Sequence, residues 1–227
     1  MERRHERLHT GHKHRLLLVD DHPVTREGLA GLLNQYSDFE VCGQASTAPE
    51  GLAAAARLKP DLVLVDISLG GTSGLELVKD LAIRHPTLPS LVLSTFDEQL
   101  YAERALRAGA RGYVMKHEPT QQVIAAIRLV LRGGRYLSEQ MGSRLFDKLS
   151  GRPAAPRVSE VDQLSDRELE VFELIGEGCT TAQIAAGLHL SVSTVETHRA
   201  HIKEKLKLEN ATELVRRAVE WVQRAAT

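Results

Sequence analysis

Cysteine is nearly missing from this sequence: Cys42 and Cys179 stand far apart, in no CxxC or zinc-finger spacing. A disulfide framework and a cysteine metal centre are thereby excluded, and a reducing cytoplasm suits the pair. An excess of either charge is missing too. Lysine and arginine number 29 against 30 acids, a formal net charge of −1, so general polyanion binding is excluded and any nucleic-acid surface must be local. No apolar run is long enough to span a bilayer, and the N-terminus carries no signal-peptide core. Nucleotide-binding loops are absent, with neither GxxxxGK[ST] nor GxGxxG after a first strand. What remains is 227 residues, 42% hydrophobic and 26% charged, enough for one large domain or two ordinary ones.

The most informative stretch is Asp61-Leu62-Val63-Leu64-Val65-Asp66, an apolar run closed by an acid and followed by Gly70, Gly71 and Gly74. Such a run reads as a strand buried on both faces of a parallel sheet, delivering Asp66 to the carboxyl edge. Residues 1–14, with His5, His9, His12 and His14, are polar and form a disordered leader. Leu16 to Val19 is another buried strand, ending in Asp20-Asp21, and His22-Pro23 starts a helix. Phe39 to Gly43 is a short strand, and Thr47-Ala-Pro-Glu50 has capping-box spacing ahead of an Ala-rich helix. Further strands, Leu88 to Ser94 and Gly112 to Lys116, alternate with helices up to Leu131. Strand and helix repeated five times predict an α/β doubly wound, flavodoxin-like parallel sheet of five strands and five helices.

That fold gathers Asp20, Asp21, Asp66, Ser94, Thr95 and Lys116 at one edge. Carboxylates so placed repel unless a cation sits among them, and Mg²⁺ suits a site of carboxylates, a carbonyl and water. A carboxylate can then attack phosphorus, with a lysine and a hydroxyl neutralising the phosphoryl oxygens. Any one of these residues could be an ordinary polar strand end; all of them at one edge, with the lysine ending the fifth strand, point to phosphoryl transfer onto aspartate. A flavin-binding alternative lacks its hydroxyl-rich phosphate loop after the first strand, where Asp-Asp-His-Pro stands instead.

Residues 15–133 resemble the receiver domain of two-component response regulators of the NarL/FixJ class. The resemblance rests on Leu18-Val-Asp-Asp-His-Pro23, Arg26-Glu-Gly-Leu29, Asp61 to Ile67, Gly74-Leu-Glu76 and Ala108-Gly-Ala-Arg-Gly-Tyr113. It implies that Asp66 is the phosphoryl acceptor and that Asp20, Asp21, Asp66 and the Ser68 carbonyl hold Mg²⁺. It also makes Ser94 the hydroxyl that swings to the phosphoryl group, Lys116 its cationic partner and Tyr113 the aromatic switch. Gly70 stands where the family usually has Pro, so a looser loop is expected there. His117 stands where Asp or Pro is common, and Ser68 and Phe96 occupy positions that tune phosphoryl loss. The competing enzyme reading, a Mg²⁺-dependent phosphatase with an aspartyl intermediate, wants DxD at the first strand. A regulator that leaves its phosphosite unused is a third.

Residues 134–162 read as a short helix and a Pro/Ala linker, and 163–227 as a separate all-α four-helix unit with a helix-turn-helix. Its third helix, Val192 to Leu206, has Val195, Ile202 and Leu206 inward, with Arg199, Lys203, Lys205 and Lys207 concentrating positive charge. Leu164-Ser-Asp-Arg-Glu168, Glu170-Val171, Ile184-Ala185, Leu190-Ser191 and Thr194-Val-Glu-Thr-His-Arg199 resemble the LuxR-type output domain. That resemblance implies contact with double-stranded DNA: Glu196, Thr197 and Ala200 at base edges, with Thr194, His198, Arg199, Lys203 and Lys205 completing the set. His201 stands where Asn is common. It implies a homodimer when active, with Val215, Ala218, Val219 and Val222 as the seam, a sensor histidine kinase as phosphodonor, and RNA polymerase as a further candidate partner. The expected protein is a phosphorylation-activated transcription regulator of the cytoplasm, not an enzyme beyond its own dephosphorylation. Its receiver, near Tyr113, would hold the DNA helix covered or the protomers apart.

Overall fold

Alternate residues of an extended strand face opposite ways, and this chain builds a layer on each side of its sheet. In chain order the elements are β1 (His14–Val19), α1 (Pro23–Leu33), β2 (Phe39–Ala45), α2 (Ala48–Leu58), β3 (Leu62–Val65), β4 (Ser68–Leu69), β5 (Thr72–Ser73) and α3 (Gly74–Arg84). There follow β6 (Ser90–Ser94), α4 (Glu98–Ala108), β7 (Tyr113–Met115), α5 (Thr120–Leu131) and α6 (Glu139–Leu149). A 3-10 turn (Glu160–Gln163) leads into α7 (Asp166–Gly176), α8 (Thr181–Gly187), α9 (Val192–Lys205) and α10 (Ala211–Ala225). This computed structural model describes residues 13–69, 72–149 and 160–225.

The five-stranded sheet is parallel throughout, in the order β2-β1-β3-β6-β7. Leu16 and Leu18 pack with Leu33, Ile124 and Ile127 on the face covered by α1 and α5, while Leu17 and Val19 pack on the opposite face with Leu77, Val78 and Ala105. Backbone bonds level the carboxyl ends of the strands. The Asp66 amide donates to the Val19 carbonyl at 2.8 Å, that of Asp20 to Ala45 at 3.1 Å, and that of Lys116 to Ser94 at 2.7 Å. The strand-end residues therefore share one edge, as the alternation predicts.

Three expectations change. The stretch after Asp66 is not plain loop but the antiparallel pair β4–β5 (Gly70 and Gly71 lie outside the described residues). The leader's last residue belongs to the sheet: the His14 amide donates to the Asp38 carbonyl at 2.8 Å, so β1 starts there; residues 1–12, with the rest of the histidines, lie outside the described residues. The linker ends earlier than the sequence suggests. Residues 150–159 are not described, but Val161 is buried, and Arg104 of α4 donates to the carbonyls of Val161 and Leu164 at 3.0 and 2.9 Å. Among the described residues, no helix is long and apolar enough to cross a membrane.

Candidate functional site

Four side chains meet at the carboxyl edge. Lys116 Nζ donates to Asp20 Oδ2 at 2.8 Å and to Asp66 Oδ2 at 2.7 Å, and both acids are buried. Burial, the largest influence, pushes the Asp66 carboxyl up to about 6; Lys116 pulls against it, and the charges of Asp20 and Asp21 add to it. Burial likewise pulls Lys116 down, but the carboxylates of Asp66 and Asp20 hold it above the usual range. Asp21 completes the group: its side chain is 6% exposed and neither oxygen accepts a hydrogen bond among the described residues. Ligand atoms of Asp20, Asp21, Asp66 and His22 all lie within 4.8 Å of one another. A buried carboxylate that makes no hydrogen bond, set beside two others, is the arrangement a hard divalent cation satisfies, so the residues fit Mg²⁺. Ser68 is buried in β4, two residues beyond Asp66.

Gly74 is required by this pocket. A Cβ there would fall 1.8 Å from the Asp66 carbonyl oxygen, because the Gly74 amide closes the turn on Ile67 at 2.6 Å.

Ser94 and Tyr113 connect through Phe96. Ser94 is fully buried and its hydroxyl accepts from the Phe96 amide at 3.3 Å; the buried Tyr113 hydroxyl donates to the Phe96 carbonyl at 2.6 Å. Burial raises the Tyr113 hydroxyl well above its ordinary value, so it remains a donor. The Phe96 ring lies 5.0 Å from that of Tyr101, which is also fully buried.

Beyond Tyr101 the helical unit begins, and its α7 lies against α4 and β5. Asp166 at its start takes Lys79 of α3 at 2.8 Å and Arg104 at 3.1 Å. Further along, Glu170 is fully buried, paired with Arg167 and facing Ser73, and burial pushes it up to about 7. Glu173, buried against Tyr101, is pushed up to about 8, again chiefly by burial. At the other end of the seam, His189 Nε2, in the turn between α8 and α9, lies 3.5 Å from Asp21 Oδ2.

On α9 the inward stripe is Val195 and Ile202, with Leu206 at the C-cap. Glu196, Thr197 and Ala200 are exposed as expected. The positive charge is less free than the sequence suggests. Arg199 is only 15% exposed and lies 3.7 Å from Glu196, and Lys205 is bonded to Glu168 of α7. Glu196 also accepts from the Thr181 hydroxyl at 2.9 Å. Lys203 and His198 are half-buried; burial lowers the His198 imidazole, and Thr194 shares its hydroxyl with Ser191 at 2.7 Å. Because Glu196, Thr197 and Ala200 stay exposed, the receiver does not cover that face of α9.

One seam residue is corrected. Ala218 is fully buried in the unit's own core, its backbone packed over Gly176 of α7. Val215 is 40% exposed, while Val219 and Val222 are half-buried. The sequence also left His22, His189, Glu170, Glu173 and Tyr101 without a role. His22 could have been found from its place beside two strand-end acids; the others meet their partners only through tertiary packing.

Residues 16–128 match the family described as response regulator receiver domain, and residues 162–218 match bacterial regulatory proteins, luxR family. The oxygen regulatory protein NreC of Staphylococcus aureus is 36% identical over 209 residues, covering 90% of this chain and 96% of NreC. A two-component response regulator of the LuxR family from Aurantimonas is 28% identical, covers 61% of this chain and 99% of its own, and superposes with a TM-score of 0.57. RcsB from Salmonella enterica serovar Typhimurium, solved bound to the promoter rprA with phosphomimetic BeF₃⁻, shares the fold at 24% identity and a TM-score of 0.58, over 90% of this chain and 98% of its own.

Proposed function

Because this chain belongs to the luxR-family response regulators, phosphorylation-activated regulators of transcription, we propose that Asp66 is its phosphoryl acceptor and α9 its DNA-reading helix. The observation that carries the reading is the Asp21 side chain, buried and without a hydrogen bond beside two carboxylates already held by Lys116. Asp20, Asp21, Asp66 and the Ser68 carbonyl would hold Mg²⁺, which when bound would supply positive charge for the phosphoryl oxygens. An Asp66 oxygen attacks the phosphorus of a phosphohistidine on a sensor kinase; the new P–O bond forms as the P–N bond breaks and the imidazole leaves. Lys116 then turns from the carboxylate to the phosphoryl oxygens, and the Ser94 hydroxyl donates to another. Its movement releases the Phe96 amide, and with it the backbone that Tyr113 grips and the ring that touches Tyr101.

In this reading the receiver spans 14–133, a connector 134–159 and the output domain 160–227, working in the cytoplasm, where Cys42 and Cys179 stay free thiols. Docking regulates by direction rather than by cover. A dimer must place two α9 helices about one turn of DNA apart, and a domain fixed on α4 and β5 cannot choose that spacing. Once released, two copies join through Val215, Val219 and Val222 and grip double-stranded DNA; RNA polymerase is a candidate later partner.

The test is promoter-fragment binding by the full chain with Mg²⁺ and a small phosphodonor. Affinity is expected to rise on phosphorylation for the native chain and to stay flat for Asp66→Asn. A native chain that gains nothing, or an Asp66→Asn variant that gains as much, overturns the assignment.

A further inference from the structure

The acid pocket is walled by two imidazoles, one from each domain. His22 Nδ1 lies 2.8 Å from Asp21 Oδ1, 3.5 Å from Asp20 Oδ1 and 4.0 Å from Asp66 Oδ2. His189 Nε2 approaches Asp21 Oδ2 at 3.5 Å from the other side, and the two ring centres are 6.4 Å apart. Between them sits Asp21, nine-tenths buried, with no hydrogen bond to either oxygen. Both rings are about half exposed, at 52% and 56%, so an ion could enter from solvent.

We propose that His22, His189 and Asp21 form a binding site for a borderline transition-metal ion of the zinc class, which clamps the output domain to the receiver. Imidazole is a poor ligand for Mg²⁺ and a good one for zinc, cobalt or nickel. With metal–nitrogen bonds of about 2.1 Å at a tetrahedral angle, two rings on one ion have centres about 5.3 Å apart. The rings stand about 1 Å beyond that, so both half-exposed side chains must rotate toward Asp21 to bring their nitrogens and a carboxylate oxygen onto one ion. Asp20 or Asp66 can give the fourth ligand. The Mg²⁺ site draws on the receiver alone, where ligand atoms of Asp20, Asp21, His22 and Asp66 lie within 4.8 Å of one another; His189, in the turn of the helix-turn-helix, adds the ligand that makes this site a clamp between the domains. The two ions therefore have opposite consequences: zinc holds the domain down, while phosphorylation lets it go. The site rests on the geometry of the docked pair, and it would stand even if Asp66 were never phosphorylated.

The experiment titrates the full chain with Zn²⁺ alone and with Mg²⁺ alone by calorimetry, and with Co²⁺ by visible absorption. The native chain is compared with His189→Ala and His22→Ala. The histidines of the leader are common to all three proteins, so they cancel in the comparison. Each variant is expected to lose about tenfold or more in Zn²⁺ affinity and to weaken the cobalt d–d bands, and His189→Ala, which lies outside the receiver pocket, to keep its Mg²⁺ affinity. Zn²⁺ is also expected to protect residues 150–162 from proteolysis in the native chain but not in His189→Ala. Equal Zn²⁺ affinity in His189→Ala, or Zn²⁺ binding with no change in proteolysis, overturns the proposal. Loss of Mg²⁺ binding or of phosphorylation in the native chain would count against the phosphoryl-acceptor reading and leave this one untouched.

Discussion

Lys116 opposes the burial that lifts the Asp66 carboxyl. Burial lifts Asp66 to about 6 even with Lys116 at 2.7 Å; without the ammonium, desolvation and two neighbouring carboxylates act unopposed. Lys116→Met is therefore expected to raise the Asp66 titration further, read by carboxyl NMR in metal-free protein, and to slow phosphorylation at neutral pH more than at alkaline pH. An unmoved Asp66 titration would contradict the pocket as drawn. Gly74 makes a second prediction. Its missing Cβ lets the chain pass over the Asp66 carbonyl, so Gly74→Ala must push backbone against backbone and should cost about 3 kcal/mol, measured by denaturant unfolding. A cost near zero would mean the turn relaxes freely.

At the scale of elements, the central strands β1, β3 and β6 show themselves by their apolar runs, because residues buried on both faces leave no room for polar ones; the edge strand β2, with Glu40 and Gln44 exposed, carries a weaker signal. The β4–β5 pair gives none, since two residues per strand carry no periodicity. The stripe on α10 was ambiguous for another reason: an apolar face can cover its own domain or a partner, and sequence does not say which. Trp221 stacks 5.5 Å from Phe172 and Ala218 sits over Gly176, which assigns that part of the stripe to the domain core. Val215 remains outside. Val215→Asp is accordingly expected to leave thermal stability within about 0.5 kcal/mol of the native chain while weakening dimeric DNA binding. Trp221→Ala should instead lose about 3 kcal/mol of stability. If Val215→Asp binds a two-half-site operator as well as the native chain does, α10 is not the seam.

The whole molecule adds what no single stretch contains. The acids at strand ends were legible because alternating strands and helices dictate where strand ends meet; Glu173 and His189 were not, because their partners lie in the other domain. Glu173 makes docking sensitive to pH. Its docked value of about 8 stands above the ordinary 4.5, so the docked state keeps a proton that the open state gives up. Docking is then favoured fully below about 4.5 and weakens as pH rises through about 8, by at most about tenfold per pH unit. Tyr101 of α4 pulls against that rise, while the charges of Glu177 and Glu170 on its own side and of Asp97 ahead of α4 add to it. Interdomain proteolysis is expected to speed up between pH 6 and pH 8.5 in the native chain, a window of about two units below and around that value, and to respond less in Glu173→Gln, where Glu170, raised to about 7, still titrates.

On the function proposed, filling the Asp66 pocket frees the output domain from α4. The direct measurement is the distance between spin labels on Ile83→Cys of α3 and Glu204→Cys of α9, with Cys42 and Cys179 replaced by serine and labelled chains diluted in unlabelled ones. With Mg²⁺ and beryllium fluoride, the single docked distance should give way to a broad, longer distribution. A distance that stays single and unchanged with the pocket filled would contradict it.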